Sequence, residues 1–358
     1  MVPSNHIREQ FRAAPLHWLR GNLFSSPLNS ILTCLAFLLL YFALPPVIHW
    51  ALIDANWSGD SRQNCISGGA CWVFIKVRFA QFMYGFYPEV ERWRVNVVFL
   101  LFLVHSAPLL LPSFPRKIWL GAVLLLIYPI VAYLLLVGGH FGLPAVETRL
   151  WGGLMLTLVV AGVGIAASFP IGVVLALGRR SAMPMIRALS VAFIELVRGV
   201  PLISILFMSS VMLPMFLPEG VYFDKLLRAL IGVTLFAGAY MAEVVRGGLQ
   251  AIPAGQFEAA SALGLGYWKM MTFVILPQAL RIVIPGIVNT FIALFKDTTL
   301  VLIIGLFDLL GMIQSASTDP KWLGYALEGY AFAAMVFWIF CFSMSRLSLY
   351  FERKLQVS

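Results

Sequence analysis

The sequence predicts an all-α integral membrane protein, and three observations support this fold class. Of its 358 residues, 61% are hydrophobic and only 11% are charged, whereas soluble domains are nearer to half apolar and a quarter charged. The hydrophobic residues form runs long enough to cross a bilayer core, which takes roughly 20 residues per helix. These runs are continuous rather than alternating, which argues against a transmembrane β-barrel.

Eight apolar runs are candidate membrane spans, and the second and fifth are the shortest. The runs are Ile31–Ile53, Val95–Leu111, Ile118–Val137, Gly152–Leu177, Pro201–Leu217, Leu226–Glu243, Ile287–Leu310 and Tyr330–Leu349. Arg8, Arg12 and Arg20 precede the first run, and no A-x-A-like cleavage site follows it. We therefore interpret the first run as a retained signal-anchor rather than a cleaved signal peptide.

The chain divides near residue 140. Residues 1–140 hold three spans and a long loop at 54–94, and residues 150–350 hold five spans. Lysine and arginine concentrate in alternate loops, which by the positive-inside rule places both termini in the cytoplasm. The loop at 54–94 is the exception, but its length weakens the rule, so we place it outside. The net charge of +9 follows this pattern and needs no nucleic acid partner to explain it.

The four cysteines fall into two groups. Cys34 and Cys341 lie in apolar spans and are simplest as packing residues. Cys65 and Cys71 lie in the external loop, within NCISGGACW. They are a candidate disulfide if that side is oxidising, and the alternative is two unrelated thiols.

No motif in the sequence points to catalysis by this chain. It has no G-x-x-x-x-G-K-[ST] sequence, so it lacks the usual P-loop for nucleotide phosphates. It also lacks C-x-x-C and H-E-x-x-H motifs, and its five histidines are scattered. His49 and His105 could in principle flank a haem, although a lone intramembrane histidine is more often a packing residue. We assign no catalytic residue and no metal site.

Ionisable residues in or near the apolar runs are the stronger functional signal, because charge inside a membrane is costly. Two Glu/Arg pairs stand at a spacing of three, which places each pair on one helical face. A third group interrupts the seventh run with charge and two hydroxyls. These residues are Glu195 and Arg198, Glu243 and Arg246, and Lys296, Asp297, Thr298 and Thr299. The hypothesis is that all of them except Arg246 border a translocation pathway, and the alternative is ordinary interfacial turns at span ends.

A mildly polar stretch, AGQFEAASALGLGYWKMMTFVILP at 254–277, separates the sixth and seventh runs. Pro253 suits the first turn of a helix, and Gly264 and Gly266 predict its end and a sharp turn. A second short helix over 267–276 would place Trp268, Met271 and Ile275 on one side, with Pro277 restricting its end. The pattern predicts a helix–turn–helix with a shallow docking surface, and the alternative is a re-entrant or interfacial loop.

These residues resemble the EAA loop of ABC importer permeases. Glu258-Ala259-Ala260 is followed by Gly264 and then by Val274-Ile275-Leu276-Pro277, with valine in place of the usual first isoleucine. The stretches IELVRGVPL, EVVRGGLQAIPAGQFEAASALGLG, LPQALRIVIPGIVNTFIALFKDTTL and IGLFDLL resemble the polar amino acid branch of this family. The long N-terminal part resembles the general L-amino acid permease subunits. The resemblance covers about 200 residues.

The resemblance implies a type I ABC importer permease core of five transmembrane helices, preceded here by about three extra ones. In this family the EAA loop is a coupling helix that docks on a separate ATPase dimer, which binds ATP and magnesium. The carried-over coupling residues are Gln256, Glu258, Ala259, Ala260, Gly264, Leu276 and Pro277. It further implies a periplasmic amino-acid-binding protein and a place in the bacterial inner membrane among its lipids. A second permease subunit, identical or homologous, is also implied, and a homologous one is our preference.

Two other classes compete with this interpretation. An ion-coupled secondary transporter or channel would act without an ATPase, and a membrane enzyme would carry a cofactor or turn over a substrate. Which amino acids are carried does not follow from the sequence, because selectivity in such systems rests largely with the binding protein.

Overall fold

The computed structural model describes residues 15–66, 68–111, 117–218, 220 and 222–356, and within them the protein is helical with isolated β-bridges and no strands. The contacts form two compact units, Met1–Val77 and Arg78–Ser358, so the division near residue 140 stays a prediction. The helices are α1 (Pro15–Asn22), α2 (Pro27–Ile48), α3 (Trp72–Tyr84), α4 (Arg92–Leu110), α5 (Lys117–Ala122), α6 (Tyr128–Val137), α7 (Gly153–Arg179), α8 (Pro184–Gly199), α9 (Leu202–Phe207), α10 (Lys225–Ala251), α11 (Ala254–Ala262), α12 (Tyr267–Met270), α13 (Leu276–Ile282), α14 (Ile284–Asp297), α15 (Leu309–Ser317) and α16 (Ala326–Gln356).

Six helical stretches within the described residues are long and apolar enough to cross a membrane, and they confirm the all-α membrane fold. They are Pro27–Ile53, Trp119–Val137, Gly153–Arg179, Lys225–Ala251, Ile284–Ile304 and Ala326–Lys354. The predicted second span forms α4 but falls outside this set. Its first residues include Arg92 and Arg94, which lower its hydropathy.

The predicted fifth span is half of a broken one. Pro184–Gly199 and Leu202–Phe216 meet at an angle of 106° and together make a seventh candidate crossing. The break falls at Val200, whose backbone is extended, because a residue before proline is disfavoured in the α conformation. The sequence prediction of one straight span from Pro201 therefore missed the first arm.

In the first unit, α2 begins at the N-cap Ser26, whose hydroxyl accepts a hydrogen bond from the Asn29 amide at 3.2 Å. A π-helical turn, His49–Ile53, extends α2 into the loop that follows. In that loop Cys65 and Cys71 are joined by a disulfide, with their Cα atoms 5.6 Å apart. The structure thus contains the candidate pairing rather than two separate thiols.

In the second unit, a buried arginine fixes the chain between α6 and α7. Arg94 is fully buried and its Nε donates to the Glu91 carboxylate at 2.8 Å. Both of its terminal nitrogens donate to the Pro144 carbonyl at 3.0 Å. The guanidinium is therefore paired and hydrogen bonded, which is the condition for burying a charge, and it holds the connecting segment in place.

The centre of the second unit is the pair α7 and α10, which pack through small residues. A Cβ added at Gly172 would lie 2.5 Å from Cγ of Met241, so only glycine lets the two backbones approach this closely. The two helices are thus tightly packed where Gly172 faces Met241.

Helix α15 is capped by a buried carboxylate. Asp308 accepts hydrogen bonds from the Gly311 and Leu310 amides at 2.9 and 3.2 Å, as an N-cap does. Burial raises the pKa of its carboxyl to about 6, although these amide bonds oppose the shift. The next amide, that of Leu309, donates to the Thr157 hydroxyl of α7 at 3.0 Å. This cap therefore ties α15 to the central helix pair.

Candidate functional site

The polar stretch between the sixth and seventh runs forms a helix that ends sharply. Helix α11 starts after Pro253 and runs over Ala254–Ala262. The Gly264 amide donates to the Ser261 carbonyl at 2.9 Å, and the Leu265 amide donates to the Ala260 carbonyl at 3.2 Å. With φ of +73° at Gly264, this is a Schellman cap, which favours glycine at that position. Gly264 thus terminates the helix and does not continue its Phe257–Ala260 face.

The inner side of α11 is held by two residues one turn apart. Ala260 is buried and Phe257 is half-buried. The Arg180 guanidinium lies 5.4 Å from the centre of the Phe257 ring and donates to the Leu249 carbonyl at 2.9 Å. Arg180 follows the last residue of α7, so it connects α11 directly to the ends of two membrane-spanning helices.

The second limb of the loop differs from the predicted short helix. It consists of α12, a π-helical turn Met271–Ile275 and then α13, where Pro277 stands in the first turn. Pro277 therefore starts a helix rather than ending one, as its missing amide allows. Met271 and Ile275 are both buried, but Trp268 is 70% exposed, so the three do not share one side as predicted. The change of helical period after Met270 rotates Trp268 away from the other two.

The two limbs are tied together and to the membrane helices. The Gln278 amide nitrogen donates to the Gln256 side-chain oxygen at 3.1 Å and to the Val274 carbonyl at 2.7 Å. Met271 and Ile275 share one apolar core with Val245 and Leu249 of α10. The loop is thus built as a rigid extension of the spans and not as a flexible connection.

The outer side of α11 is a surface of small side chains, which we name the coupling surface. Its members are all exposed: Gly255, Glu258 and Ala262 lie opposite Ala260 by helical geometry, and Ala259 and the C-cap Leu263 lie to one side of them. Leu263 is 79% exposed at its end. A shallow apolar surface with one carboxylate is suited to insertion into a groove on another protein.

The two Glu/Arg pairs meet in a single ionic network through a further arginine, Arg179, the last residue of α7. Arg179 contacts the carboxylates of Glu195 and Glu243 at 2.9 and 2.7 Å. Glu243 also contacts Arg246 at 2.8 Å and Arg198 at 3.7 Å. We name these five residues the arginine network. It joins α7, α8 and α10 immediately before α11, and nothing in the local sequence pattern marks Arg179 as its centre.

The group at 296–299 is placed near the middle of the span Ile284–Ile304. Lys296 is exposed, and it forms no ion pair with Asp297 in the described part of the chain. The Thr298 hydroxyl donates to the Phe295 carbonyl at 2.7 Å, and the Thr299 hydroxyl donates to the Lys296 carbonyl at 2.9 Å. Both hydroxyls thus donate hydrogen bonds to carbonyls of their own helix. Lys296 makes no such bond to a residue that the structure describes, and its side chain is exposed.

This combination of a bent multi-span helical bundle and a capped, exposed loop helix is that of a binding-protein-dependent transport permease. A family model described as "Binding-protein-dependent transport system inner membrane component" matches residues 168–357, and the chain belongs to that family. It is a multi-pass component of the inner membrane.

Its relatives include the inner membrane amino-acid ABC transporter permease protein YhdY of Escherichia coli (strain K12). The two are 59% identical over 337 residues, which cover 94% of this chain and 92% of the relative. The glutamate/glutamine/aspartate/asparagine transport system permease protein BztC of Rhodobacter capsulatus is 41% identical, with 95% of this chain and 94% of that protein covered. The N-terminal region is therefore shared with both.

Among solved structures, an amino acid ABC transporter crystallised with histidines matches with a TM-score of 0.50 and 28% sequence identity. The match covers 56% of this chain and 92% of that chain. It supports the ABC importer permease fold.

Proposed function

We propose that this chain is the pore-forming permease of an ATP-driven importer for L-amino acids, and that the coupling surface receives the motion of a separate ATPase dimer. The observation that carries the proposal is the geometry of α11. On its inner side Phe257 packs against the apolar core of the spans and Ala260 is buried. Its outer side is exposed and nearly free of long side chains. A force applied to α11 is thereby passed to α7 and α10. ATP and magnesium bind on the ATPase subunits.

The position of Lys296 inside the span Ile284–Ile304 is evidence for our proposal of a second permease subunit. An exposed lysine within a span is costly against lipid, so Lys296 faces protein or an aqueous path in the assembled transporter. A homologous permease is the partner we propose on this side. Lys296 then borders the translocation pathway, with Asp297 next to it.

Three members of the arginine network, Glu195, Arg198 and Glu243, are also among the residues that we propose border the translocation pathway. Its position beside α11 also suits the transmission of motion between the loop and the spans. Both roles require the Glu243 carboxylate, because three arginines share it.

The orientation we propose has both termini in the cytoplasm, which needs α4 to cross the membrane as an eighth span beside the seven candidates. Two spans separate the loop at 254–282 from the C-terminal end of α16, so the coupling surface and the C-terminus lie on the same side. The disulfide between Cys65 and Cys71 fits an oxidising periplasm. A periplasmic binding protein delivers the substrate on that outer side.

The substrate class rests on the relatives. YhdY is described as an amino-acid permease protein and BztC as a transport protein for glutamate, glutamine, aspartate and asparagine. Amino acids, polar or of broad range, are therefore the substrates we propose.

The experiment combines copurification with transport. The full chain is expressed with its partner subunits, purified, and placed in liposomes that contain ATP inside and binding protein outside. We expect an ATP-binding subunit to copurify and amino acid uptake to need ATP and the binding protein. Uptake by this chain alone, driven by an ion gradient, would establish a secondary transporter or channel instead.

A substitution pair locates the coupling. Glu258→Arg places a bulky cation on the coupling surface, and we expect it to uncouple ATP hydrolysis from uptake. Lys269→Glu lies in the same loop but outside the coupling surface and serves as the charge-change control. Equal effects of the two variants would mean that α11 is not the docking element.

A further inference from the structure

In the C-terminal part of α16, every fourth residue from Trp338 to Lys354 is aromatic or basic. Trp338 and Phe342 stack with their ring centres 5.0 Å apart. The Arg346 guanidinium lies 5.0 Å from the Phe342 ring centre, and the Lys354 ammonium lies 5.8 Å from the Tyr350 ring centre. Residues four apart lie one above the other on a helix, so these five residues form one ladder along α16.

The ladder faces away from the protein. Ser348, on the opposite side of the helix, is 9% exposed, whereas Trp338 is 62% exposed. Glu352 lies roughly 120–160° around the helix from Arg346, Tyr350 and Lys354 by helical geometry. Among the described residues of α16, the ladder's cations therefore have no carboxylate between them, and the N-terminal part of the ladder presents aromatic rings.

A shallow depression lies at the lower end of the ladder. It has a volume of about 470 Å³ and is lined by Arg346, Leu349, Tyr350, Arg353 and Lys354. Three cations thus converge over an apolar and aromatic floor. They stand at the C-terminal end of the candidate membrane span Ala326–Lys354.

We propose that this face is a binding site for an anionic phospholipid, with its phosphate among Arg346, Arg353 and Lys354 and its acyl chains along Phe342 and Trp338. Charge complementarity identifies the headgroup, because clustered basic residues beside a span attract anionic lipids. The rings above them identify a lipid rather than a free phosphate, since a soluble anion gains nothing from an apolar surface within the membrane. Guanidinium stacking on a ring also holds Arg346 in position without a protein carboxylate.

The proposal goes beyond the transport function and rests on it in one respect only. The orientation proposed above places this end of α16 in the cytoplasmic leaflet. The lipid site itself needs no ATPase, binding protein or substrate, so its test is independent of transport.

The test measures lipid binding by native mass spectrometry of the full-length protein purified in detergent. The probes are phosphatidylglycerol and phosphatidylcholine, each added separately. The ladder variant combines Arg346→Gln, Arg353→Gln and Lys354→Gln. The control variant combines Arg187→Gln, Lys269→Gln and Arg281→Gln, which removes the same charge from exposed positions nearer the coupling loop.

We expect the wild type and the control to bind phosphatidylglycerol in preference to phosphatidylcholine. The ladder variant should bind it on the order of a hundredfold more weakly, since each cation beside an anionic surface contributes about fivefold. Phe342→Leu keeps every charge and should weaken binding to a smaller degree. Thermal unfolding of each variant shows whether it is folded.

Three results would overturn the proposal. Equal binding of the two lipids by the wild type would remove the headgroup preference. Equal loss in the ladder and control variants would show that only total charge matters. Full competition by glycerol 3-phosphate would identify a small-anion site rather than a lipid site.

Discussion

The end of α11 makes a quantitative prediction, because Gly264 can be changed without a steric conflict. A Cβ added there meets no atom within 4 Å, yet φ is +73°. The cost of Gly264→Ala is therefore conformational alone, about 1–2 kcal/mol for an ordinary residue in the left-handed region. Asparagine tolerates this region better, so Gly264→Asn should cost less.

Proline at the same position is a stronger perturbation. Its ring fixes φ near −65°, and it removes the amide that donates to the Ser261 carbonyl. Gly264→Pro should therefore unravel the cap and abolish uptake while the chain still inserts into the membrane. Retained ATPase binding and transport in this variant would contradict the proposed role of α11.

Hydrogen–deuterium exchange of the α11 amides measures the cost directly. A loss of about 1–2 kcal/mol in local stability accelerates exchange by roughly 5- to 30-fold. We expect exchange to be fastest in Gly264→Ala, slower in Gly264→Asn and slowest in the wild type. The control is Gly255→Ala, which also has open space but no positive φ. If Gly264→Ala exchanged no faster than Gly255→Ala, the left-handed cap would not be what fixes the end of α11.

Three further predictions follow from other parts of the structure. Glu243→Gln removes the carboxylate that three arginines share and should destabilise the protein by about 3 kcal/mol, whereas Glu195→Gln, at a side chain 56% exposed, should cost below about 1 kcal/mol; equal melting temperatures in detergent would contradict this ranking. Lys296→Met should impair uptake or alter its selectivity while subunit assembly persists, and normal ATP-driven uptake would reject Lys296 as a pathway residue. Asp308 has a pKa raised to about 6, so the folded state binds the extra proton and stability should fall by about 3 kcal/mol as the pH rises from about 4 to about 6. Asp308→Asn should remove this dependence, and unchanged pH profiles of unfolding would refute the assignment.

The spans and the loop helix could be predicted because they depend on local sequence. Length and hydropathy suffice to find a span, and Pro253 and Gly264 mark the ends of α11 through backbone conformation alone. The family resemblance then supplied the expected roles of Glu258, Ala259 and Ala260, which the structure leaves as proposals.

The arginine network could not be predicted, because it depends on how three helices meet. Spacing pairs Glu195 with Arg198 and Glu243 with Arg246 along each helix, but Arg179 reaches both carboxylates only after α7, α8 and α10 have packed. Trp268 was placed on the wrong side for a different reason. The π-helical turn that begins at Met271 changes the periodicity on which the prediction depended.

The outward-facing Lys296 has a consequence for biogenesis. A copy inserted without its partner would expose the Lys296 ammonium group to lipid tails. Quality-control proteases can degrade such an unassembled subunit. Synthesis of the two permeases would then have to be matched in amount, and an orphan copy should have a short lifetime in the cell. The residue that we propose borders the pathway would in this way also show whether the pore has been assembled.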